Sequence, residues 1–140
     1  MSDTTTLIHD YEVSRQLAER MNRASFAMKR SQRHNRLPIP ELDEARKSAA
    51  ETLAQVLQLL QTGATDASQA VQTTEIPQEL IADLRGRYGA EMPYLVSDLA
   101  AAVKSLLDGQ NSADAIKVID KLCQAADSVA SASFRRLRRR

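Results

Sequence analysis

A row of guanidinium groups along a helix can neutralise the regularly spaced charges of a phosphate backbone without reading any base. Two stretches of this chain have that make-up. The first holds Arg20, Arg23, Lys29, Arg30, Arg33 and Arg36, with no acid between Glu19 and Glu41. The second holds Arg135, Arg136, Arg138, Arg139 and Arg140. The formal net charge of +1 conceals this segregation: residues 1–19 sum to −3, 20–36 to +6, 37–134 to −7 and 135–140 to +5. Arg23, Ala27, Arg30 and His34 recur at steps of four, three and four, which sets them on one helical face. Lys29, Arg33 and Arg36 form an adjoining stripe. Ser31, Gln32 and Asn35 add neutral groups suited to phosphate oxygens, and Phe26 is a lone aromatic within reach of a base.

Simpler explanations compete for the first stretch. Cations in the last turn of a helix stabilise its negative end by about 0.3–1 kcal/mol each, which accounts for Arg33, Arg30 and His34. Asp10, Glu12 and Glu19 are near enough to pair with Arg15, Arg20 and Arg23 along the helix. In an antiparallel hairpin, Glu41, Asp43, Glu44 and Glu51 would also lie opposite the basic run. The second stretch is harder to dismiss, because a helix end uses one or two cations and not five. Clustered like charges repel until an anion neutralises them. Polybasic ends of this kind meet nucleic acid, acidic proteins or anionic membrane.

Other chemistry is poorly represented. His9 and His34 are far apart, with no second His or Cys at ligand spacing, so no metal site is expected. Cys123 falls on an apolar face beside Leu122 and Ala126 and reads as a small core residue rather than a nucleophile. No Glu-x-x-His pair and no Gly-rich phosphate loop occurs. The segment Arg85-Gly-Arg87-Tyr-Gly89 admits two readings, an RNA contact or a bend that ends a helix. Neither a catalytic site, a cofactor nor a small-molecule substrate is expected.

The elements that must carry these residues are helical. Ala, Leu and Gln abound, aromatic residues make up 4% of the 140 residues, and there is no Trp. That balance favours helices over strands. Leu7, Tyr11, Ser14, Ala18, Met21, Ser25 and Met28, widened by Leu17 and Ala24, predict a first helix from about Thr6 to Asn35, about 45 Å long. It should stop before Pro38. A second helix starts near Pro40, presents Leu42, Ala45, Ala49, Leu53, Val56 and Leu60, and stops at Gly63. Residues 64–75 read as a polar linker, with a helical turn or two allowed within Asp66–Gln72.

A third helix over 77–88 bends at Gly89–Met92 and resumes from Pro93 to Asp108, showing Leu95, Val96, Leu99, Val103, Leu106 and Leu107 to the core. Asn111 resembles the N-cap of the last helix, with Asp114 three residues on. That helix carries Ile116, Ile119, Leu122, Cys123, Ala126, Val129, Ala130, Ser133 and Leu137. Such stripes predict an all-α, mostly antiparallel four-helix bundle over 1–134, its third helix bent or broken near 89–93, followed by a polybasic tail at 135–140. Up-and-down order would hold the two basic segments about 40 Å apart at opposite poles.

The expectation is a non-enzymatic helical subunit that holds RNA or DNA backbone without sequence preference, inside a larger nucleoprotein assembly. In architecture it resembles the small helical subunits of nucleoprotein machines, those of CRISPR effector complexes among them, and the small bundles that accompany reverse transcriptases. That likeness transfers no residue. The alternative is a protein-only adaptor that docks a larger subunit through its helix faces and basic tail. Ala-rich stripes bury little area each, so a partner chain, a second copy included, is expected to complete some apolar surface. A single cysteine suits the cytoplasm. No apolar run approaches the roughly 18 residues of a membrane span, so no membrane partner is expected. Removal of 135–140 is expected to weaken nucleic-acid binding without lowering stability.

Overall fold

A computed structural model describes residues 4–34, 40–62, 76–110 and 112–139. The described residues form five α-helices: α1 (Thr4–His34), α2 (Pro40–Thr62), α3 (Gln78–Tyr88), α4 (Met92–Leu107) and α5 (Ala113–Arg138). A 3-10 turn, Gly89–Glu91, joins α3 to α4, so the two form one leg broken where Gly89 and Pro93 stand. The result is a four-helix bundle without strands among the described residues. The linker at 64–75 and the stop at Gly63 lie outside those residues.

The predicted stripes form the core. Leu17, Met21, Ala24 and Met28 from α1 meet Leu53 and Val56 from α2, Leu80 and Leu84 from α3, Leu99 and Leu106 from α4, and Ile119 and Leu122 from α5. At roughly 25 cal/mol per Å², each fully buried Leu or Met contributes about 2 kcal/mol. Leu107 departs from the expectation, being 66% exposed. It is the last residue of α4, where the helix gives way to the turn at Asp108 and Gly109.

The seam between α1 and α5 is the most extensive helix pairing. The two run antiparallel: Tyr11 meets Phe134, Ala18 meets Cys123, and Ser25 meets Asp120. Small buried residues (Ser14, Ala18 and Ser25 against Ala126, Ala130 and Ser133) bring the helices close. On its other side α1 packs antiparallel on α2, through Arg20 and Thr52. α4 closes the ring between α2 and α5.

The turn from α4 to α5 shows why the boundaries fall where they do. Gly109, at φ +75°, donates its N–H to Leu106 O at 3.2 Å, and Gln110 N–H donates to Ser105 O at 2.9 Å. These two bonds are a Schellman cap, which satisfies orphan carbonyls at the end of α4. The N-cap of α5 is Ser112, one residue later than predicted; its Oγ accepts from Ala115 N–H at 3.1 Å. Asn111 lies outside the described residues. Asn and Ser are near-equal caps, so local preference alone did not distinguish the two positions.

Two glycines make opposite predictions. A Cβ added at Gly109 would meet Arg46 Nη1 at 3.6 Å, an ordinary contact. The cost of Gly109→Ala is therefore conformational, about 1 kcal/mol for a left-handed residue, and the melting temperature should fall by about 3–5 °C. Gly86 sits inside α3 with nothing within 4 Å of an added Cβ. There Gly86→Ala should stabilise by about 0.5–1 kcal/mol. Thermal unfolding of both variants checks the pair, and a neutral Gly109→Ala would rule out the cap as described.

Candidate nucleic-acid interface

The first basic stretch occupies the latter two thirds of α1, and its side chains divide between two neighbours. Arg20 is half-buried against α2, where its Nη1 donates to Thr52 Oγ1 at 3.2 Å, and Thr52 donates to Ser48 O at 2.9 Å. Arg23, Ala27 and Arg30 line one groove of about 730 Å³, as their spacing predicted, with Glu41, Glu44 and Ala45 of α2 on the opposite bank. Arg23 and Arg30 are exposed and make no hydrogen bond or ion pair among the described residues. The carboxylates of α2 therefore face these arginines across a gap instead of pairing with them. Phe26, 68% exposed, lines the same groove. Arg15 pairs with Glu19 at 3.7 Å, both well exposed, a contact worth at most about 1 kcal/mol.

Lys29 points elsewhere. Its Nζ lies 3.1 Å from Asp120 Oδ2 on α5, and Ser25 Oγ donates to Asp120 Oδ1 at 2.7 Å. One carboxylate thus ties two residues of α1 to α5, and the Lys29 charge is already matched. Arg33 and His34 belong to the final turn of α1, and Arg36 lies outside the described residues.

The second basic stretch is not separate from the bundle. α5 stays helical through Arg138, with Arg139 as its C-cap, and Arg140 lies outside the described residues. Arg136 reaches across to Glu79 of α3. Arg135 Nε donates to Ser131 O at 3.4 Å within its own helix. The Arg138 guanidinium lies over the Phe134 ring, 5.9 Å from its centre. Arg139 is exposed, and its side chain makes no hydrogen bond or ion pair among the described residues. Because α5 runs antiparallel to α1, these arginines lie beside the first turns of α1. With Phe134 level with Tyr11, Arg135–Arg139 fall level with about residues 6–10, so at 1.5 Å per residue they lie about 20–26 Å from Arg23 and about 30–36 Å from Arg30 along α1.

Arg136 has a further effect. Asp10 of α1 is only 8% exposed. Burial raises its pKa above the usual carboxylate value, Glu79 raises it further, and His9 and Arg136 oppose the rise. Arg136 thus offsets two acids at the foot of the bundle. Removal of 135–140 should therefore cost stability as well as charge, contrary to the expectation from sequence.

Other residues singled out in the sequence have structural partners. Arg85 Nη2 donates to Leu59 O and Leu60 O, both at 3.2 Å, and so satisfies carbonyls in the last turn of α2. Arg87 pairs with Asp83 at 3.1 Å. The Arg-Gly-Arg segment thus has structural employment. Cys123 is buried, with its Sγ 3.5 Å from Ala18 O. Burial, then the Asp127 carboxylate, pushes the thiol pKa up to about 11. That shift favours the protonated thiol at neutral pH, in keeping with a buried core residue. Among the described residues, no group of three His, Cys, Asp or Glu could hold a metal, and no helix is long and apolar enough to cross a membrane.

Sequence reasoning passed over Tyr11, Arg15 and Phe134 as parts of a site. Tyr11 and Phe134 share a ring contact at 5.7 Å only because of the α1–α5 register. No local signal links residues so far apart in the chain.

The raised pKa of buried Asp10 costs the fold stability at neutral pH, because its folded-state value lies above its unfolded one. That burden is relieved as pH falls through the raised value and disappears below the unfolded value. Asp10→Asn should therefore raise the melting temperature at pH 7, with the gain shrinking as pH falls. A loss of stability at pH 7 would mean that the carboxylate is favourably held. No protein-family model, no curated protein and no solved structure matches this chain, so its site is defined by its own geometry.

Proposed function

We propose that the protein is a non-enzymatic helical subunit that grips nucleic-acid backbone, without sequence preference, inside a larger nucleoprotein assembly. One observation carries this reading. Arg23, Arg30 and Arg139 are exposed with no partner among the described residues, while Arg135 and Arg138 are held only within their own helix. Five guanidinium groups are thus available to anions without breaking a contact between helices. Lys29 and Arg136 contribute little to such a grip, since carboxylates already hold them. The cytoplasm suits a chain whose single cysteine is an unpaired buried thiol.

A second reading rests on the α1–α2 groove. It sets Arg23 and Arg30 against Glu41 and Glu44, with Phe26 exposed among them. A bank of mixed charge with an aromatic anchor suits a protein surface better than a polyanion. The adaptor role draws its support there.

Titration of labelled single-stranded RNA and duplex DNA at several salt concentrations tests the first reading. Log K should fall linearly with log salt, at roughly 0.7–0.9 per phosphate neutralised. Gln in place of Arg135, Arg138 and Arg139 should flatten that slope by about two to three. No binding at low salt, with capture of a protein partner lost on Phe26→Ala, would favour the adaptor.

A further inference from the structure

We infer that the junction of α1 and the end of α5 is a base-stacking site that selects single-stranded nucleic acid over duplex. The inference rests on the backbone-binding reading and adds a ligand class to it. Between the two helices lies a hollow of about 450 Å³, bordered by Tyr11 and Arg15 of α1 and by Asp127, Phe134 and Arg135 of α5. The chain has only five Phe and Tyr residues, yet two of them meet here at the surface. Phe134 is 45% exposed, although it directly follows the fully buried Ser133. Its ring lies 5.7 Å from that of Tyr11, tilted by 35°, and the Arg138 guanidinium lies 5.9 Å from its centre.

Tyrosine, phenylalanine and guanidinium together offer adjoining π-faces, the kind of platform on which an unpaired base stacks. The charges give the ligand a direction. Arg135 borders the hollow from α5 and suits a phosphate beside a seated base, while Arg15, across it on α1, is shared with Glu19. Asp127 lies two helical turns from Phe134 and borders the same hollow; its Oδ2 accepts from the Cys123 thiol at 3.8 Å, and its Oδ1 has no partner among the described residues. A carboxylate repels phosphate but accepts a hydrogen bond from an exocyclic amine. The hollow therefore takes a base, with the backbone at its rim. Within a duplex, bases are paired and stacked, so only a single strand can supply one.

The test compares three fluorescein-labelled probes at one low salt concentration: a mixed-sequence single-stranded DNA, an abasic strand of the same length, and the duplex. Wild-type protein should bind the base-bearing strand roughly tenfold more tightly than the abasic one. Phe134→Leu should erase that difference, so that the base-bearing and abasic strands bind alike. Phe134→Tyr keeps a stacking face and should retain the difference. Equal wild-type affinity for the two strands, or a preference that survives in Phe134→Leu, overturns the stacking site and leaves the backbone reading standing. Failure to bind any of the probes overturns both. Melting curves of the two Phe134 variants separate a lost ring from a lost fold, and if Phe134→Leu unfolds, the wild-type comparison with the abasic strand still decides.

Discussion

The close antiparallel contact of α1 with α5 governs the rest of the molecule. It depends on small residues facing one another: Ser14, Ala18 and Ser25 on one side, Ala126, Ala130 and Ser133 on the other. Each buries little area, so the seam gains from close approach and many dispersion contacts more than from large apolar groups. Its composition also has a cost. The hydroxyls of Ser14 and Ser133 are buried without a hydrogen bond among the described residues, and such groups cost about 1–3 kcal/mol. Once the register is fixed, Asp120 falls between Ser25 and Lys29, Cys123 falls against Ala18, and Phe134 falls against Tyr11.

That register also sorts the positive charges. Along the chain, the first basic run looks uniform. In space, Lys29 faces α5 and meets a carboxylate, while Arg23 and Arg30 face α2 and meet none closely. The C-terminal run divides in the same way: Arg136 steadies α3 through Glu79, whereas Arg135 and Arg138 lean on their own helix. The arginines that hold the bundle together and those open to a partner are neighbours in sequence and part only through helix rotation.

Much of the fold was legible because apolar residues repeat at helical spacing and Gly or Pro stands near most boundaries. The stripe from Leu7 to Met28 and that from Ile116 to Ser133 are buried nearly as their periodicity requires. The break at Gly89 also falls where expected. What escaped depends on tertiary contact. The pattern of α4 extends to Leu107, but the pattern cannot tell whether a neighbour covers its end. The cap at Ser112 was hidden by an equally good candidate beside it. The run at 135–138 reads as a charged tail in composition, yet it continues a helix whose face meets α3. In the candidate site, the arginines were legible individually, but their partners were not, since Asp120 and Glu79 belong to other helices.

Arg85 carries a last consequence. By donating to two carbonyls at the end of α2, its guanidinium fastens α3 there directly, side chain to backbone. The attachment of one element to the other then owes nothing to the route of the intervening polypeptide. Loss of that clasp would leave two carbonyls at the end of α2 without their guanidinium partner and remove a direct tie to α3.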